Sequence, residues 1–240
     1  MSASPQPRDP ADRDAPDRRV REIEILEDVS EFRGPKEGFL KLSRLLLRNR
    51  YADGTVSEPY DCDIVSRAHV DAVTIVLFQR GPNGDVRVGL RENLRAPVFL
   101  RRHKDRILWP EDPPFTTLIE TVAGVLEPDG EAEDLDTALD RRAAEECLEE
   151  VGISVKPGNI LPLGGASFPT PGIGDEKVHF RAVEVDLSKA VPPTGDGSVM
   201  EEVGGLVVLD LVHALQACRE GRIADMKTEI ALCRLRDLLI

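Results

Sequence analysis

Apolar residues in this chain recur with two different periods, and the switch between them lays out the elements. Residues 20–26, VREIEIL, alternate apolar and polar positions, the two-residue period of a half-buried strand. The runs LKLSRLLLRNRY and VSEPYDCDIVSR flank an Asp53-Gly54 pair, a turn signal that predicts a hairpin. DAVTIVLF at 71–78 is apolar almost without interruption, which predicts a strand buried on both faces. The turn GPNGD leads into another strand over VRVGLRENLRAPVFL, with Arg91 and Arg95 near its end. Residues 116–125, TTLIETVAGV, read as one strand, and strand character resumes over 153–165, over 177–187 and in EEVGGLVVLDL. Two helices close the chain. One spans about 210–220 and ends at Gly221, a C-cap residue; the other begins near Asp225, an N-cap type. Many strands, few helices and no strict alternation predict an α+β or α/β sandwich rather than a doubly wound sheet.

Between the strand at 116–125 and Gly152 the period becomes helical. Residues 123–153, AGVLEPDGEAEDLDTALDRRAAEECLEEVGI, predict a strand end, a glycine-containing turn and a helix closed by a second glycine. Glu146, Glu149 and Glu150 share one face by their i, i+3, i+4 spacing, and Ala144, Cys147, Leu148 and Val151 form the opposite, core-facing side. Carboxylates so spaced repel, and a helix C-terminus is the wrong end for negative charge. A solvated acidic face is one reading. A hard divalent cation is the other, because Mg²⁺ is held by a few carboxylates and shared with substrate phosphates.

Composition narrows the choice. Of 240 residues 41% are hydrophobic, enough for a core, and the net charge of −13 excludes nonspecific nucleic-acid binding. A protein this acidic that handles phosphates needs cations or a few placed arginines. Cys62, Cys147, Cys218 and Cys233 are scattered without CxxC spacing, which argues against a zinc site or disulfide framework and fits a reducing cytoplasm. The histidines are scattered too. No apolar run reaches transmembrane length, so no membrane partner is expected. Residues 1–19, rich in Pro, Asp and Arg, read as a disordered tail, and 20–66 as an N-terminal β-sheet region ahead of a domain over 67–240. Residues 101–115 and SFPTPGIGDE at 167–176 read as loops, the second Pro/Gly-rich and of the kind that carries function on a rigid scaffold.

Residues 124–153 resemble the Nudix box, the loop-helix-loop signature of enzymes that hydrolyse nucleoside diphosphates linked to another group. Its end reads Glu145-Glu146-Cys147-Leu148-Glu149-Glu150-Val151-Gly152-Ile153. The N-terminal hairpin, Asn93-Leu94-Arg95, the loop from Pro171 to Glu176 and the stretch from Gly221 to Thr228 are similar to the ADP-ribose pyrophosphatase branch. Two features depart from the pattern. The first half of the box is lengthened, and Glu145 stands where the family has an Arg that braces the loop through an upstream Glu. Counting back the family distance lands on Thr137, so both ends of that brace are expected to be missing and the helix start to be shifted or broken near Leu135 and Leu139. The resemblance implies a Nudix fold with an extra N-terminal antiparallel sheet that dimerises. It also implies metal-dependent cleavage of the pyrophosphate of ADP-ribose or a related nucleoside diphosphate sugar. Glu146, Glu150 and the Ala123 carbonyl are the implied ligands of Mg²⁺ or Mn²⁺, with Glu149 supporting them or holding a second ion. Glu176 is the implied base for the attacking water. Arg95, and with less to favour it Arg91, are candidate phosphate contacts, since a guanidinium matches phosphate oxygens. A UDP-sugar-specific enzyme and a Nudix-fold sensor without turnover are the alternatives.

Overall fold

The apolar run at 71–78 becomes the centre of the molecule. In the computed structural model, which describes residues 39–52, 55–127, 133–191 and 204–239, it forms β3 (Asp71–Arg80), with Val73 to Phe78 fully buried. Its alternate side chains serve two cores. Ala72, Val76 and Phe78 face one side, where they meet α3 (Leu211–Arg219) and α4 (Met226–Leu239). Val73, Ile75 and Leu77 face the other and meet α2 (Leu135–Val151). A period of two on a strand covered on both faces gives this three-layer α/β/α arrangement.

Among the described residues seven strands make the central sheet. β4 (Val86–Asn93) returns from β3 through a tight turn in which Gly84 takes φ +83°, a left-handed conformation open to glycine. Beyond β4 lies β5 (Leu118–Glu120), and β9 (Leu206–Asp210) also pairs with β4. On the other side β3 pairs in parallel with β8 (Lys177–Glu184), and β8 pairs with β7 (Ile160–Pro162). The first residues of β3 pair with β6 (Val122–Val125), so Ala123 lies opposite Thr74 and Gly124 opposite Val73. A separate antiparallel pair, β1 (Lys41–Leu47) with β2 (Tyr60–Ser66), forms the N-terminal sheet. The strand expected at 20–26 and the Asp53-Gly54 turn lie outside the described residues.

Several boundaries differ from expectation for physical reasons. The strand at 116–125 breaks at Thr121. Its buried hydroxyl contacts Thr74 Oγ1 at 2.6 Å, and its N–H donates to Thr228 Oγ1 at 2.8 Å. The strand after the GPNGD turn stops at Asn93, since Pro97 opens the short helix α1 (Ala96–Leu100). Residues 153–165 contribute three strand residues, β7, and the long stretch before 187 ends its ladder at Glu184. Helix α2 is not broken at its start. Asp134 caps it by accepting from the Thr137 N–H, and Leu139, Ala143, Cys147 and Val151 form a buried stripe running to Gly152, which ends the helix at φ +66°. Leu148 falls off that stripe and is exposed rather than core-facing.

Candidate active site

The C-terminal half of α2 lies across β6. This close approach depends on Gly124: a Cβ there would stand 1.6 Å from Glu146 Oε1. The absence of a side chain lets the Glu146 carboxylate rest against the strand, buried except for its edge. Beside it open Glu149, Glu150 and Ala123, all lining a cleft of about 620 Å³. Glu176 reaches the same cleft from the loop before β8, and Arg95, Glu120 and Lys227 reach it from the opposite wall.

Tertiary contacts hold each side chain. Glu120 is buried and accepts from Arg95 Nε at 2.7 Å, Lys227 Nζ at 2.9 Å and Asn93 Nδ2 at 3.1 Å. Burial alone would raise the Glu120 pKa, but the charges and hydrogen bonds of Lys227 and Arg95 outweigh it and hold the carboxyl below its ordinary value. Asp225 lies 3.0 Å from Lys227 and caps α4 by accepting from the Thr228 N–H. Glu176 accepts from Arg67 Nη2 at 2.6 Å, and this arginine directly follows β2. The preceding residues zip the same loop to the hairpin: Ser66 donates to Asp175 at 2.8 Å, and the Val65 N–H donates to the Ile173 carbonyl at 2.7 Å.

Arg91 takes a place other than the one expected of it. It is 1% exposed and donates from Nη1 to the Glu150 carbonyl at 2.8 Å, with Nε 3.9 Å from Glu150 Oε2. It lies within β4, against α2, whereas Arg95 follows the end of that strand and lines the cleft. Arg91 is not among the residues lining the cleft, and it braces α2 through the Glu150 carbonyl. The brace expected to be missing from the box is also present, displaced by one turn. Arg141 pairs with Glu133 at 2.7 Å and with Glu145 at 3.1 Å, and it donates to the Glu127 carbonyl at 3.2 Å. The hydrogen bonds that Arg141 donates to Glu133 are the main reason its pKa is raised. Trp109 is exposed and does not line the cleft.

Sequence reasoning missed three of these groups. Arg67 and Glu120 are ordinary charged residues with no local motif, and Lys227 lies in the 221–228 stretch with no role of its own read there; their partners lie 109, 25 and 107 positions away. From sequence the Asp and Arg residues of 132–142 read as a solvated face, and Arg142 departs from that, its side chain largely buried. Its guanidinium bonds to Glu146 and lies 3.2 Å from Glu145 and 3.5 Å from Glu149. Among the described residues no three His, Cys, Asp or Glu side chains form a ready metal cage. The donor chemistry nonetheless fits a hard cation: Glu146, Glu149 and Glu150 bring carboxylate oxygens to the cleft, and Gly124 leaves space beside Glu146 that a Cβ would fill. Cys147, beneath the cluster, has its thiol pushed up to about 12 by burial and by Glu150 and Glu146, so it is packing rather than a ligand.

One sequence relationship bears on these features. Over 162 residues, 68% of this chain and 71% of the relative, 32% of positions are identical. Together with the three-layer fold and the glutamate-bearing helix, this places the chain: it belongs to the Nudix hydrolase family. The relative is GDP-mannose pyrophosphatase of Yersinia enterocolitica. No family model matches the chain. No helix among the described residues is long and apolar enough to cross a membrane.

Proposed function

We propose that this protein hydrolyses the pyrophosphate linkage of a nucleoside diphosphate sugar to a nucleoside monophosphate and a sugar phosphate, using Mg²⁺ or Mn²⁺. The observation that carries this reading is the meeting of Glu146, Glu149, Glu150 and Glu176 with Arg95 and Lys227 on one cleft. The name of the relative brings GDP-mannose forward as a substrate. The resemblance of the hairpin, the 171–176 loop and the 221–228 stretch keeps ADP-ribose beside it.

The residues divide the work by charge. Glu146, Glu150 and the Ala123 carbonyl would hold the cation, with Glu149 supporting them. The bound cation would neutralise the pyrophosphate oxygens and stabilise the leaving phosphate. Arg95 and Lys227 present donors to the phosphate oxygens, and Glu120 holds both in place before substrate arrives. Glu176 accepts the proton of the attacking water, its carboxylate aimed by Arg67. Arg91 fixes the backbone at Glu150 and so the angle at which its carboxylate enters. The N-terminal sheet supports a homodimer: Leu42, Leu45, Leu46 and Tyr60 are exposed on a two-stranded unit, which is marginal without cover.

The test is phosphate release, after coupled phosphatase treatment, from GDP-mannose, ADP-ribose, UDP-glucose and ADP-glucose in Mg²⁺, Mn²⁺ or EDTA. Turnover of GDP-mannose or ADP-ribose that EDTA abolishes is expected. Preference for UDP-glucose would redirect the substrate assignment, and nucleotide binding without any turnover would make the protein a sensor. Glu150→Gln is expected to abolish turnover; unchanged activity would remove Glu150 from the metal site.

A further inference from the structure

Resting on the metal reading above, we infer that Arg142 is a tethered counter-ion. It closes the α2 carboxylate site when no divalent cation is bound, and it swings to Glu145 when one enters. Arg142 precedes Glu146 by one helical turn on the same face. Its side chain is largely buried, bonds to the innermost carboxylate, Glu146, and lies 3.5 Å from Glu149 Oε2. A single guanidinium thus engages two of the three carboxylates that a cation would use. Guanidinium and cation cannot share those oxygens, and two positive charges at that separation repel.

The other seat is already in contact. Arg142 Nη1 lies 3.2 Å from Glu145 Oε2, and Glu145 is not among the residues lining the cleft. Arg141 holds Glu145 from the far side at 3.1 Å, and Glu133 in turn holds Arg141 at 2.7 Å. The acidic residue at 145 therefore has a use: it receives a cationic side chain displaced from the site. The closed seat also leaves Arg142 Nε buried without an acceptor, a cost that favours departure once Glu146 and Glu149 find another cation. Arg142 already touches Glu145 as well as Glu146, so the exchange asks for a side-chain rotation and no movement of α2.

The consequence is a weakened apparent affinity for the cation, reduced by the fraction of molecules in which Arg142 stands aside. If that fraction is about one tenth, removing the guanidinium tightens binding about tenfold. The experiment is calorimetric titration of full-length protein with Mn²⁺, checked by the electron paramagnetic resonance signal of free Mn²⁺. It compares the wild type, Arg142→Gln and Arg142→Lys, each verified as folded by circular dichroism. Tighter Mn²⁺ binding by Arg142→Gln, with Arg142→Lys close to the wild type, is the expected result, because Lys keeps the charge. Unchanged or weaker binding by Arg142→Gln, in proteins that do take up Mn²⁺, overturns the counter-ion role and leaves the metal site standing. Absence of Mn²⁺ uptake by all three removes the metal reading itself, and this inference with it.

Discussion

Replacing Gly124 by Ala adds one methyl group and tests how Glu146 is placed. The new Cβ would stand 1.6 Å from Glu146 Oε1, 2.3 Å from Cδ and 2.7 Å from Cγ. Ordinary contact begins near about 3.5 Å, so the overlap is far beyond what thermal motion absorbs. Backbone adjustment is disfavoured because Gly124 is paired with Val73 inside the sheet. Glu146 is the part that can yield, by rotating away from β6. That rotation breaks its pair with Arg142 and exposes a carboxylate whose side chain is only 6% exposed. Arg142 keeps Glu145 and Glu149, so the stability cost is modest, about 1–2 kcal/mol, equivalent to roughly 2–8 °C in melting temperature for a chain of this size. Turnover suffers far more, since the innermost carboxylate leaves the cleft: a fall of about a hundredfold or more in kcat/KM is expected. Gly165→Ala is the control, because a Cβ there meets nothing within 4 Å. Thermal melts and the phosphate-release assay, run on both variants side by side, make the measurement. A Gly124→Ala protein with wild-type turnover would refute the argument that the glycine seats Glu146.

Other expectations follow from the same contacts. Glu120→Gln removes a buried carboxylate between Arg95 and Lys227 and should cost about 2 kcal/mol in urea unfolding; Asp225 keeps a partner for Lys227 and Arg95 is part-exposed, which limits the loss. Because the folded pKa of Glu120 is held below its ordinary value of 4.5, its contribution is present above that pH and lost as pH falls through the folded value; the stability gap between wild type and Glu120→Gln should therefore close on acidification below about pH 4.5. Leu139→Ala, at 1% exposure in the α2 core, should cost about 2–5 kcal/mol in the same experiment, and a smaller loss would mean that the α2 stripe packs loosely. Arg67→Gln frees Glu176 and should lower kcat/KM about tenfold or more with little change in melting temperature; a large loss of stability with unchanged kcat/KM would make Arg67 structural.

Periodicity carried the architecture a long way. The uninterrupted run from Ala72 to Phe78 announced the central strand, and the spacing of Glu146, Glu149 and Glu150 announced a shared face that does line the cleft. Where the reading stopped short, the deciding contact was distant in sequence. Thr121 ends a strand because Thr74 and Thr228 meet it, and nothing within ten residues of Thr121 signals either one. Arg91 and Arg95 are alike in sequence and four residues apart. One lies within β4, under α2, and the other follows the strand end into the cleft. The brace of the box was sought at a fixed spacing, but an ion pair needs only reach. Arg141 extends from the preceding turn to Glu133 and fills the role.

The seam between the hairpin and the 170–176 loop sets what can vary independently. Val65, Ser66 and Arg67 meet Ile173, Asp175 and Glu176 in matching order, so a shift of β2 by one residue would offer every loop group the wrong neighbour. The stretch ahead of the central sheet is thus bound to the chemistry by register, although its described residues supply no carboxylate to the cleft. An insertion between Tyr60 and Arg67 would misaim Glu176 without touching it. A chain trimmed back to the central sheet would keep its glutamates on α2 and lose the ruler that aligns them with the loop.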